Sequence, residues 1–314
     1  MKVISQAPTR ISIIGGGTDI SSYYSKSNGM VISMAINIRQ KCIIYTEDDI
    51  WEITENIVPY GGRREFIYDI FADFEIKGMH AYKFKSEFDG FIGAGLGSST
   101  ACIVSMLGAI NKIYNLKLSL YQIAERAFMI ESKMTFGGKQ DQYASAFGGL
   151  NLIEFGKSVT VKPFSREDAE NLYEWMTLFY IGGTRESKTL QQGFKDLTGG
   201  QKKALDEIKK RVAIAHVWIE EDYIQGVGEI LNEVWEFKKK SNKGVSNAKI
   251  DGIYDYALEN GAIGGKILGA GQAGYMMFIC HPLNQKELTE QMAKKGIERI
   301  DFSPDFNGVE VRIL

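Results

Sequence analysis

Short, mostly apolar runs enriched in β-branched residues, with Gly or Asn punctuation and polar positions between them, fill the first third of the chain and predict strands at residues 10–14, 30–36, 42–46, 51–55 and 65–68. From residue 98 to about 113 the apolar positions instead recur every three or four residues, which predicts a helix. A second helix begins at Ser119, because Ser119-Leu120-Tyr121-Gln122 has the form of a capping box. A third, over 140–146, is stopped by Gly148-Gly149 before a strand over 150–155. The chain turns polar over 157–168, and this places a domain boundary there, dividing residues 1–165 from 166–314. The second part reads as a strand at 177–181, helices at 188–195, 201–220, 225–240 and 250–260, strands at 263–268 and 275–280, a helix at 285–294 and two terminal strands. Trp218, Ile219 and Trp235 sit at helical spacing and read as core. No internal repeat or low-complexity tract interrupts this α+β order.

Composition narrows the class without changing the elements. The 314 residues are 44% hydrophobic and 24% charged, with a formal net charge of −2, which fits a globular protein and argues against a nucleic-acid partner. The one basic run, Lys238-Lys239-Lys240, closes a predicted helix and reads as a solvated C-terminus that complements the helix dipole. Cys42, Cys102 and Cys280 are odd in number, widely spaced and set among apolar residues, which argues against a disulfide framework or a thiolate metal site. A reducing, cytoplasmic setting is expected. No apolar stretch reaches eighteen residues, so no membrane segment is expected.

Candidate chemistry concentrates in four segments. Gly93-Ala94-Gly95-Leu96-Gly97-Ser98-Ser99-Thr100-Ala101 runs straight into the helix at 98. Alternate glycines let backbone N–H groups turn toward an anion, the helix dipole adds positive charge, and Ser98 or Ser99 can reach a phosphate or Mg²⁺. No Gly-Lys-Ser/Thr follows, so this is not a Walker loop. The second segment, Ala7 to Asp19, ends a strand in Gly15-Gly16-Gly17-Thr18-Asp19; its small backbone admits a polyol, and Asp19 can accept two vicinal hydroxyls or simply cap a short helix. In the third, Glu131 falls on the inward stripe defined by Ala124, Ala127 and Phe128, where a carboxylate needs a cation such as Mg²⁺. Beyond Gly137-Gly138, Asp141 opens a helix, where the dipole and Lys139 would keep it ionised. A surface salt bridge for Glu131 and an N-terminal cap for Asp141 are the plain alternatives. The fourth segment, Gly264 to Gly274, is a side-chain-poor turn between two strands that can press on a ligand or serve only as a hairpin.

The order and spacing of these segments, along essentially the whole chain, resemble the GHMP small-molecule kinases. Gly-Gly-Gly-Thr-Asp, the Gly-Lys-Gln-Asp-Gln-Tyr-Ala segment at 138–144, and Arg185 followed by Ser187 are most similar to the sugar branch of D-glycero-D-manno-heptose 7-phosphate kinases and fucokinases. The resemblance implies a two-domain α+β fold, with a ribosomal protein S5-like N-terminal domain that binds ATP and a ferredoxin-like C-terminal domain. It implies a phosphotransferase acting on the anomeric hydroxyl of a sugar, with ATP and Mg²⁺. Gly93, Gly95, Leu96, Gly97, Ser98, Ser99 and Thr100 would then bind the nucleotide, and Ser99 and Glu131 the metal. Asp141 would face the attacking hydroxyl with Arg10 or Lys139 shielding charge, while Gly16, Gly17, Thr18, Asp19, Arg185 and Gly271 would bind the sugar. Arg185, with Ser187 and Lys139, could receive a phosphate at the far end of a heptose, or stand as an ordinary surface residue.

Three departures from the family pattern accompany this: Phe91-Ile92 in place of a proline, Thr100 in place of Ser or Ala, and Gln272-Ala273 within the last glycine run. Free L-fucose as acceptor, or a sugar sensor that has kept the fold without turnover, are the rival readings; a sensor usually loses Ser99, Glu131 or Asp141, and this chain has all three. Decarboxylases of phosphorylated acids are a distant third.

Overall fold

A computed structural model describes residues 2–46, 70, 82–88, 90, 93–134, 136–183, 196–242 and 244–314. The strands expected at 51–55 and 65–68, the helix expected at 188–195, and Arg185 and Ser187 lie outside the described residues.

The N-terminal strands are longer than the sequence suggests. β1 (Lys2–Ile14) pairs antiparallel with β2 (Gly29–Thr46), a single strand that joins the two runs expected at 30–36 and 42–46. A register shift between Pro8 and Thr9 bends the ladder where Pro8 cannot donate. β2 pairs along its second half with β3 (Tyr82–Phe88) and along its first half with β4 (Leu150–Phe155), which continues to β5 (Val159–Pro163). The polar segment taken as a boundary is thus itself an edge strand of the first sheet. The last strand, β10 (Glu310–Ile313), returns to pair with β1, so the first sheet draws on both ends of the chain. The second sheet orders β7 (Ala262–Ile267), β8 (Gly274–Cys280), β6 (Met176–Gly182) and β9 (Glu298–Arg299), antiparallel throughout.

Helices cover both faces of the first sheet. Besides α1 (Ser21–Ser27), one face of the first sheet carries α2 (Ser98–Ile113), α3 (Leu120–Ser132) and α4 (Gln140–Phe147). The box at the start of α3 is formed, with Ser119 and Gln122 exchanging bonds with each other's backbone N–H. Cys102, Leu107, Ile123 and Ala127 bury their side chains against Val3, Val31, Ile44 and Ile153. The other face carries α6 (Gly199–Glu220) and α7 (Ile224–Ser241), whose Leu205, Ile208, Val212 and Leu231 pack with Ile11, Ile13, Met34 and Leu178. This second core is shared by the two sheets. α5 (Arg166–Glu174) links them, and α8 (Ala248–Glu259) and α9 (Gln285–Lys294) cover the second sheet through Tyr254, Phe278 and Leu288. Among the described residues no helix is long and apolar enough to cross a membrane.

Candidate active site

A cleft opens where the two sheets meet, lined by the glycine loop, the ends of β1 and β7, the N-terminus of α4 and the C-terminal end of α7. The loop reaches this position through backbone contacts that exclude side chains. Tyr275 N donates to Ala94 O at 3.1 Å, and a Cβ on Gly274 would lie 2.0 Å from that oxygen. A Cβ on Gly95 would lie 2.8 Å from Leu268 O. The glycine-rich turn of the second sheet therefore presses directly on the phosphate-type loop. Gly97, at φ +77°, takes the left-handed conformation that turns the loop into α2.

Two of the sequence candidates meet as a bidentate pair. Arg10 Nε and Nη2 donate to Asp141 Oδ1 at 2.8 Å and Oδ2 at 2.5 Å, while Nη1 donates to Gly95 O at 2.6 Å. One guanidinium thus fixes both the carboxylate and the loop, with the geometry that makes Arg–carboxylate pairs strong and directional. Asp141 is not a cap: the residue at the cap of α4 is Lys139, whose side chain makes no capping bond. Nor does Lys139 shield Asp141. Its ammonium bonds both oxygens of Glu125 at 2.8 and 2.9 Å and lies over the Phe128 ring, because the turn before α4 points it toward α3 instead of into the cleft.

Asp19 is 2% exposed and accepts from Gly17 N, Gln140 N and Gln140 Nε2 at 2.9, 3.2 and 3.1 Å. Burial pushes its carboxyl above the ordinary range; the Gly17 N–H opposes that and the Asp141 charge adds to it. It caps no helix, since Ile20 stands at the cap of α1. A Cβ on Gly138 would fall 1.8 Å from Asp19 Oδ2, so that glycine is what admits the carboxylate. Gly16 and Gly17 line the cleft. Thr18 does not: its hydroxyl is spent on Gly15 O and Met30 O, each at 2.8 Å, and accepts from Met30 N, which locks the turn to β2. Gly271 also stands away from the cleft, packed on Val245, and its neighbours Gly269 and Ala270 line the cleft instead. Leu96 contributes backbone only, its side chain being in the shared core.

Glu131 Oε2 accepts from Thr100 Oγ1 at 2.8 Å and Gln142 Nε2 at 2.6 Å, so the departure at Thr100 supplies a hydroxyl that orients this carboxylate. Ser98, Ser99 and Glu131 line the same end of the cleft. One carboxylate and a hydroxyl are a partial donor set, which suits Mg²⁺ because it takes its other ligands from water and phosphate. Among the described residues no cluster of three or more His, Cys, Asp or Glu could hold a metal by itself.

Sequence reasoning missed three groups here. Lys266 is buried on the cleft floor, and Gln140 Oε1 and Gln142 Oε1 are buried without a hydrogen-bond partner among the described residues. Lys238, read as solvated, instead turns inward to Ile267 O and Gly269 O at 3.4 and 3.2 Å. A charge inside a glycine run, or one following an apolar stretch, carries no signal of which way it points.

Residues 64–149 match the family GHMP kinases N terminal domain. The D-glycero-alpha-D-manno-heptose 7-phosphate kinase of Campylobacter jejuni is 32% identical over 342 aligned positions, covering 99% of each chain. The L-fucokinase/L-fucose-1-P guanylyltransferase of Bacteroides fragilis is 22% identical across 88% of this chain, which spans 34% of that longer protein. Among solved structures, a D-glycero-D-manno-heptose 1-phosphate kinase from Bacteroides thetaiotaomicron superposes with a TM-score of 0.78 at 25% identity, covering 99% of both chains.

Proposed function

Because the chain belongs to the GHMP kinases, which here means a phosphotransferase with an alcohol acceptor, we propose that it phosphorylates the anomeric hydroxyl of D-glycero-D-manno-heptose 7-phosphate with ATP, giving the 1,7-bisphosphate. The observation that carries the acceptor is the likeness along the whole chain to a kinase named for that sugar phosphate. Residues 1–165 supply the nucleotide loop and the catalytic pair in this reading, and 166–314 the turn that closes on them, with β10 returned to the first sheet.

The parts of the described residues rest on their geometry, and that of Arg185 on the resemblance alone. The glycine loop from Gly93 to Thr100 takes the phosphates of ATP at the N-terminus of α2. Asp141 presents a carboxylate oxygen to the anomeric hydroxyl, orients it and accepts its proton; Arg10 holds that carboxylate in place by two bonds. Phosphoryl transfer has a loose transition state, so positioning and charge neutralisation are the main demands on the protein. An anomeric hydroxyl is more acidic than an ordinary alcohol, which suits a carboxylate acceptor. Ser99 and Glu131 would hold Mg²⁺, which supplies charge neutralisation at the phosphates. Asp19, with the glycine edge at Gly16 and Gly17, accepts sugar hydroxyls, and Arg185 receives the 7-phosphate. The three described cysteines are free and buried, in keeping with a cytoplasmic setting.

The test is ADP release from a panel of free and phosphorylated hexoses and heptoses with ATP and Mg²⁺. Turnover confined to, or at least about tenfold better in kcat/KM with, the heptose 7-phosphate is expected. Lys139 is engaged by Glu125 and adds no cation to the cleft, so robust turnover of free L-fucose with no preference for a phosphorylated heptose would replace this reading with a free-sugar 1-kinase.

A further inference from the structure

Lys266 is an ionisable side chain in the cleft that the reaction above leaves unassigned. It is 2% exposed and reaches from β7 of the second sheet to β1 of the first, where Nζ donates to Ser12 O at 2.7 Å and stands 3.5 Å from Ser12 Oγ. An ammonium has three N–H donors, and its bonds to Ser12 leave donor capacity on a residue that lines the cleft.

Its position along β1 gives that capacity a direction. Arg10 and Ser12 are alternate residues of the strand and share a face. Arg10 donates to Asp141, and Ser12 accepts from Lys266, at 2.7 Å through its backbone carbonyl and at 3.5 Å through its hydroxyl. The next step is the glycine edge: a Cβ on Gly16 would lie 3.3 Å from Ser12 Oγ and 3.5 Å from Gln140 Nε2, the group that bonds Asp19. The floor of the cleft therefore runs Asp141, Arg10, Lys266 with Ser12, Gln140, Asp19. Gln140 is itself more than nine-tenths buried, and its Oε1 accepts no bond among the described residues. A donor with spare capacity and an unpartnered acceptor thus line the same cleft as the two carboxylates.

We infer that Lys266 is an acceptor-recognition residue: its ammonium donates to a ring or hydroxyl oxygen lying between the hydroxyls held by Asp19 and the oxygen presented to Asp141, while Gln140 Oε1 accepts from a neighbouring hydroxyl. This rests on the reading of the acceptor as a polyhydroxylated sugar. Burial pulls the Lys266 ammonium well below the ordinary lysine range, with Lys238 and Arg10 adding to the effect and Asp19 opposing it. An oxygen-rich ligand would compensate a charge that the protein alone compensates poorly.

The measurement is steady-state kinetics of Lys266→Met and Lys266→Arg, using whichever acceptor the wild-type enzyme turns over in the sugar panel, with thermal unfolding alongside. Met keeps the volume of the stem and removes the donors. The acceptor KM should rise about tenfold or more in Lys266→Met while the ATP KM stays within about twofold, and Lys266→Arg should recover part of the loss. An unchanged acceptor KM with a lowered Tm would overturn the inference and leave Lys266 as a pin between the sheets. Where Lys266→Met fails to fold, amine acylation of the wild-type enzyme read by mass spectrometry takes its place: acceptor alone should slow labelling of Lys266, and labelling indifferent to acceptor overturns the inference. A wild-type chain that turns over no sugar overturns the parent reading and this one together, whereas an active enzyme with an unaffected variant overturns only this one.

Discussion

The carboxylate of Asp141 accepts two bonds from one guanidinium and faces the cleft from the first turn of α4. Asp141→Asn keeps the shape, leaves Arg10 one acceptor oxygen on that side chain and removes the proton acceptor. Turnover should fall about 10²-fold or more while the ATP KM changes no more than about twofold; steady-state kinetics with both substrates varied checks this, and near-normal turnover would return Asp141 to a structural role. Arg10 and Asp141 were legible in the sequence because each stands in a motif whose glycines advertise a ligand. Lys139 was legible as a cation but not in its direction, since its partner Glu125 lies fourteen positions away on another helix. Lys266 and Gln140 gave no signal, because burial and hydrogen-bond vacancy are properties of packing that no local pattern encodes. Thr18 misled for the opposite reason: a hydroxyl beside three glycines looks available, but the turn to β2 consumes it.

Turns and caps carry the site at the scale of elements. The segment before α4 brings Gly138 so close to Asp19 that a methyl group would overlap Oδ2. Gly138→Ala should therefore displace Asp19 from Gly17 and Gln140 and raise the acceptor KM by about 10-fold or more, the scale of losing one charge-assisted hydrogen bond. The ATP KM should hold, because the nucleotide loop is a separate element; a variant with both values unchanged would show that the turn relaxes around the methyl. The start at Ser98 could be read from the change of apolar period and the start at Ser119 from its local capping box, whereas the box at Thr198, which opens its helix two residues ahead of the expected 201, went unread. The unbroken run of β2 could not. Arg39 and Gln40 interrupt its apolar alternation, and their partners, Asp305, Glu310 and Ser86, are brought in from distant segments.

The whole molecule joins two antiparallel sheets through one core and sets the cleft on their seam. Lys266 bonds across that seam, Tyr275 N holds the glycine loop to the second sheet, and β10 pairs with β1. Such return connections are invisible to a reading that proceeds along the chain, which is why a boundary near residue 165 captures the elements but not the closure of the first sheet. The seam sets the glycine loop, a held carboxylate and a polar floor within one space, and the central claim is that an anomeric hydroxyl is phosphorylated there. Phosphorus NMR of the product formed from heptose 7-phosphate and ATP tests it most directly. The account predicts a second sugar phosphate signal, split by the proton on C1, beside the retained 7-phosphate; a product whose new phosphate shows no coupling to the C1 proton, or no second signal at all, would contradict it.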